Sequence, residues 1–167
     1  MNEPLIYSAT LAEKKDEVVA QIKQLFLEDR EIAINMLTEI AFSPDTDNSI
    51  RRELAPMIGN TKSPQLFNMV LSHFILKTFN DPVFLIRAIG AFRNPKAIRS
   101  LIDFYTESDW EAREEIIKAL SGIPVPETFE FFSQIFNDEI ELKGEVDVAY
   151  QAKLKQKASA ALSKQII

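Results

Sequence analysis

The chain has 167 residues, 46% of them hydrophobic and 26% charged, with a formal net charge of −6. That acidic balance disfavours nucleic acid as the principal partner, because affinity for a polyphosphate rests on cations that neutralise it. The lack of cysteine excludes disulfides, thiol catalysis and Cys-based zinc sites, and no apolar run reaches the length that spans a bilayer.

The opening residues, Met1 to Ile6, lack the basic start and apolar stretch of a signal peptide, so the expected location is cytoplasmic. Helices are predicted over 10–27 and 29–42, the first with Leu11, Val18, Ile22, Leu25 and Phe26 backed by Lys14, Lys15, Gln21 and Lys23 like a polar-faced cap. Further helices follow over 47–60, 63–78, 82–92, 94–107, 109–121, 125–137 and 149–165, and Pro56 is expected to kink the third. Ser63-Pro64, Asp81-Pro82 and Asn94-Pro95 each place a capping side chain before a proline at the first helical position. Thr10 with Glu13 and Ser108 with Glu111 have capping-box spacing, and Gly59 and Gly90 stand where a left-handed residue would close a helix.

Pro64, Pro95 and Pro126 recur every 31 residues and act as a ruler. Leu54, Leu85 and Ile116 lie ten residues before them, and Ile58, Ile89 and Leu120 six before. Phe67, Ile98 and Phe129 lie three after, Val70, Leu101 and Phe132 six after, and Phe74, Tyr105 and Phe136 ten after. These spacings mark one face of a helix on either side of each proline, so the unit is a pair of amphipathic helices. A fixed period of this kind predicts an all-α fold, a right-handed α-α superhelix of four to five helical pairs in a single domain. The units fall at roughly 10–43, 45–78, 80–107 and 108–138, with a partial unit at 149–167.

Asp47…Arg51 and Asp109…Arg113 stand at one register before two of the prolines, and the run from Arg87 to Ile98 links a first helix to a second. In these features the chain resembles HEAT repeats, in the compact form named after phycobilisome-lyase subunits, over residues 45–138. It departs from the pattern in the middle unit, where Pro82 replaces the arginine. The resemblance implies a binding scaffold whose second helices line the concave face. It also raises tetrapyrrole handling, as in the lyase subunits, and DNA glycosylase activity, which would require a basic concave surface.

On second helices the outward rows are Gln65, Lys96 and Glu127, then Asn68, Arg99 and Glu130, then Ser72, Asp103 and Gln134. Met69 and Phe131 fall off the core columns and are expected to be exposed apolar anchors, or edge-packed residues. The partner-binding set is therefore Lys96, Arg99, Asp103, Arg93, Asn68, Met69, Glu130, Phe131 and Gln134. Charge is zoned along the chain: Arg87, Arg93, Lys96 and Arg99 form a basic unit, an acidic stretch runs to Asp147, and Lys153, Lys155, Lys157 and Lys164 make the last helix basic. Ile140, Leu142, Val146 and Val148 alternate with acids around Lys143-Gly144, which predicts a β-hairpin or an acidic loop over 139–148.

The single histidine, His73, occupies a column held by Phe104 and Ile135 and reads as a packed residue. No Gly-rich phosphate loop, nucleophile elbow or metal-ligand spacing is present, so no enzyme activity and no cofactor are expected. Trp110 is either a ring over the preceding turn or a partner-facing one. The expected function is a protein-binding scaffold or adaptor, monomeric or weakly dimeric, without membrane contact. A stoichiometric inhibitor or immunity-type regulator is the alternative.

Overall fold

The computed structural model describes residues 4–144 and 147–165. These form α1 (Leu5–Ser8), α2 (Lys15–Glu28), α3 (Arg30–Phe42), α4 (Asn48–Asn60), α5 (Pro64–Leu76), α6 (Pro82–Phe92), α7 (Ile98–Tyr105), α8 (Trp110–Ser121), α9 (Pro126–Phe136) and α10 (Val148–Gln165), with short 310 turns at Ala12–Lys14 and Pro95–Ala97. There is no strand among the described residues, so the fold is all-α. No described helix is long and apolar enough to cross a membrane.

The helices sort into two layers. α4, α6 and α8 pack side by side, with α2 beyond α4 and α10 beyond α8. The helices α3, α5, α7 and α9 cover the other side of this row. Leu54, Ile58, Leu85, Ile89, Ile116 and Leu120 from the first layer are buried against Phe67, Val70, Ile98, Leu101 and Phe132 from the second, as the proline ruler predicts.

What brings the first layer together is the absence of side chains. Gly59 and Gly90 lie inside α4 and α6, and neither takes a positive φ. They are therefore not helix-closing residues, as the sequence suggested, but points of helix–helix approach. A Cβ on Gly59 would sit 2.3 Å from Ala91 Cβ, and one on Gly90 would sit 2.9 Å from Ala119 Cβ. In the second layer large rings make the equivalent contacts, as where Phe74 meets Phe104 edge-on at 5.0 Å.

At these turns the left-handed residues are Lys62 and Arg93, each two before a repeat proline, with φ of 56° and 52°. The third turn has Pro124 at that place. A proline ring holds φ near −65° and cannot adopt the left-handed turn, so the chain enters α9 by another path. Thr128, Phe131, Phe132 and Ile135 are buried there, while Phe129 and Phe136 are 39% and 51% exposed. The apolar face of α9 is thus displaced by one residue from the ruler. This corrects the expectation for Phe131, which is 2% exposed and meets Tyr105 edge-on at 5.1 Å.

Two buried arginines join one unit to the next. Arg51 Nε donates to Ala41 O at 3.1 Å and Nη1 to Asn48 Oδ1 at 2.6 Å, and a further bond reaches Ser43 O. Arg113 Nε donates to Tyr105 O at 2.9 Å, and Nη2 donates to Thr106 O at 3.0 Å and to Lys143 O at 3.4 Å. Each guanidinium thereby satisfies carbonyls left open at the end of the preceding helix, α3 or α7. Burial pulls both guanidinium pKa values down, and nearby acidic groups oppose the shift. In the middle unit, where Pro82 stands, a left-handed Lys77 closes α5 instead, and Thr78 N–H donates to His73 O at 3.2 Å.

Asp47 and Asp109 cap α4 and α8 by accepting from Ser49 N–H and Ala112 N–H, both at 2.8 Å. The Ser49 hydroxyl and backbone bonds hold the Asp47 carboxyl below its ordinary value, against the opposing effect of burial. Ser108 and Thr10 cap no helix: their hydroxyls donate backwards to Tyr105 O at 3.0 Å and Tyr7 O at 2.8 Å. α4 continues through Pro56, which is exposed.

The predicted hairpin does not form among the described residues of 139–148; Glu145 and Val146 lie outside them. Ile140 and Leu142 pack on the core instead, and Lys143 N–H donates to Thr106 O at 3.1 Å.

Gly59→Ala is expected to destabilise the fold by about 1–3 kcal/mol through overpacking, which outweighs the helix-propensity gain of up to about 1 kcal/mol. Urea denaturation should show Ala91→Gly in the same chain restoring part of the loss. Arg113→Ala should cost at least about 2 kcal/mol by stranding buried carbonyls. Arg113→Lys should recover little of that in the same titration, because an ammonium lacks the planar fork that reaches several acceptors.

Candidate interaction groove on the first helices

An open groove of about 730 Å³ lies across α4, α6 and α8. Two rows of the repeat line it: Pro56, Arg87 and Lys118, eight residues before the prolines, and Asn60, Ala91 and Gly122, four before. A smaller depression of about 370 Å³ between α8 and α10 shares Glu115, Lys118 and Ser121 with it, so the two run together.

Ion pairs between neighbouring helices organise the groove. Arg52 of α4 binds Asp81 through Nε and Nη2 at 2.7 and 2.9 Å, and Glu111 of α8 through Nη1 at 2.6 Å. These contacts, chiefly those to Asp81, push the Arg52 pKa up against the effect of burial. Arg87 of α6 donates to Glu115 of α8 at 2.9 Å. At the turn end, a series of cations crosses from unit to unit. Arg30 Nη2 donates to Thr61 O at 3.0 Å, Lys62 Nζ donates to Ala91 O at 2.8 Å, and the Arg93 side chain lies against Gly122. Each cation meets the carbonyl end of the next first-layer helix, where the helix dipole favours positive charge.

Of the nine residues that sequence reasoning assigned to partner binding, only Arg93 lines this groove. Asn68 and Met69 are exposed on α5, Lys96 stands in the 310 turn, and Arg99 pairs with Asp103 on α7 at 3.1 Å. Glu130 is exposed and Gln134 half-buried on α9. These residues lie on the second layer, and the groove is on the first. The second layer offers a depression of about 270 Å³ between α5 and α7, which includes Asp103, Phe74 and Phe104. The outward rows before each proline carried a readable signal for the groove, in Arg87 and Lys118 above all.

His73 is away from the groove, stacked on Phe42 at 5.1 Å with Nδ1 2.5 Å from Thr78 Oγ1. Trp110 stacks on Tyr150 of α10 at 5.2 Å and carries the Arg113 guanidinium at 5.0 Å, so it fastens α10 to α8. No group of three or more His, Asp or Glu able to hold a metal is found among the described residues. What the groove presents is paired and free charge over a floor of small residues, an arrangement suited to recognition of a polar chain. No protein-family model matches the chain, and no curated protein or solved structure matches it either.

A double-mutant cycle should find Arg52 coupled to Asp81 by about 1–2 kcal/mol, because the carboxylate is buried and the contact is bidentate. The same measurement for Arg52 with exposed Glu111 should give under about 1 kcal/mol.

Proposed function

We propose that the protein is a binding scaffold: a short HEAT-like α-solenoid that receives a partner protein in the groove of its first helices. The observation that carries this reading is that three successive repeat units each contribute the same two rows to one continuous groove. Repetition of equivalent positions along a surface suits an elongated ligand, which meets similar contacts at regular intervals. Glycine–alanine contacts on one layer and ring contacts on the other favour curvature toward the first helices, which supports taking their face, rather than that of the second helices, as the concave one.

The test compares the wild type with a groove variant, Arg93→Glu with Lys118→Glu, and an outer variant, Lys96→Glu with Arg99→Glu, in quantitative pull-downs from native lysate. Capture of a stoichiometric protein, lost in the groove variant and kept in the outer one, is the expected result. Loss in the outer variant alone would move the interface to the second helices. Failure of the wild type to capture any protein would overturn the scaffold reading. Where the captured protein is an enzyme, loss of its activity in the complex would make the scaffold an inhibitor.

A further inference from the structure

Charge is segregated in this molecule in a way its net charge conceals. The joined groove is lined by seven of the chain's 19 Lys and Arg residues but only three of its 25 Asp and Glu residues. All three acids are already paired, Glu115 with Arg87 at 2.9 Å, Glu114 with Lys153 at 2.8 Å and Glu53 with Lys15 at 4.0 Å. Arg93, Lys118, Lys157 and Lys164 are exposed, and no described carboxylate lies within 4.0 Å of them. An acidic protein thus presents an open basic groove.

We propose that the occupant of this groove is an acidic peptide segment of the partner protein, bound in extended form across α4, α6, α8 and α10. The proposal rests on the scaffold reading and specifies its ligand. The floor includes Gly90, Ala91 and Gly122, whose small side chains let a main chain come close. Three interhelical spacings of about 8–10 Å are crossed by an extended chain of about seven to nine residues at roughly 3.3 Å each. Carboxylates along such a segment meet Arg93 and Lys118 at the α6–α8 stretch and Lys157 and Lys164 at the α10 end.

A nucleic acid fits the same cations less well. No aromatic side chain lines either part of the groove, so there is no platform on which bases could stack. The surrounding chain at −6 also repels a long polyanion, whereas a short segment interacts mainly within a screening length of about 8–10 Å.

Fluorescence anisotropy with a labelled peptide of alternating Glu and Ser, about ten residues long, tests the proposal on the full chain. Binding to the wild type is expected, weakening by at least about tenfold in Lys118→Glu with Lys157→Glu and at about 1 M salt, where screening shortens to roughly 3 Å. The outer variant, Lys96→Glu with Arg99→Glu, should bind as the wild type does, and circular dichroism should show all variants equally helical. Absence of binding, or binding indifferent to the groove substitutions, would overturn the proposal. Tighter binding of labelled oligouridine at the same site would reassign the groove to RNA. Concentration-dependent dimerisation in sedimentation velocity, abolished by the groove substitutions, would reassign it to a second copy. If the peptide fails while partner capture is still lost in the Arg93 and Lys118 variant, the acidic-ligand inference falls and the scaffold reading stands. If the wild type captures no partner either, both fall.

Discussion

When helices meet through glycine and alanine their axes draw closer than when leucine or phenylalanine stands between them. In this protein that condition holds in one layer only. Gly59 meets Ala91 and Gly90 meets Ala119, and α10 continues the row with buried Ala158 and Ala161. The second layer is spaced by Phe74, Phe104, Tyr105 and Phe131. The groove follows from this difference: the same close approach that leaves no room for a Cβ between the helices leaves small residues such as Ala91 and Gly122 at the surface above it.

Units stacked this way leave helix ends pressed against neighbours, and every such end has carbonyls to satisfy. The chain answers with cations rather than with glycine. Arg51 and Arg113 seal the ends of second-layer helices from within the core, and Arg30 and Lys62 seal the ends of first-layer helices from the surface. A guanidinium buried against carbonyls gives up solvation, which the downward pKa shifts of Arg51 and Arg113 register. Its compensation is several directed bonds from a single side chain.

Much of this architecture was legible before any coordinates. The ruler of prolines located the helices from α4 to α9 to within a few residues, because apolar spacing and X-Pro caps report local physics that packing did not override. What escaped was the meaning of residues whose role depends on a neighbour far along the chain. A glycine near a helix end reads as a cap, and only Ala91 opposite Gly59 reveals the contact. Phe131 was misplaced because Pro124 forbids the turn used by the two earlier units, and one residue of displacement exchanged the faces of α9. The groove was missed because both layers carry polar rows, and which layer is pinched together is decided by side-chain size at their contacts, not by polarity.

Pro124 has a second consequence. The cations Arg30, Lys62 and Arg93 form a series across the helix ends, of which Lys62 and Arg93 line the groove, and the next member would stand where that proline is. The series therefore stops with Arg93 at the end of α8, where Gly122 N–H also donates to Ala119 O at 3.2 Å. Beyond it the positive wall is continued by a different element, the Lys157 and Lys164 side chains of α10. Positive charge is thus kept along the groove through two unrelated solutions, one set by the repeat and one lying outside it. A charge that served only to seal helix ends would have ended with the last sealed turn. Its continuation onto α10, where Lys157 and Lys164 make no ion pair with a described carboxylate, fits the ligand-facing surface proposed above.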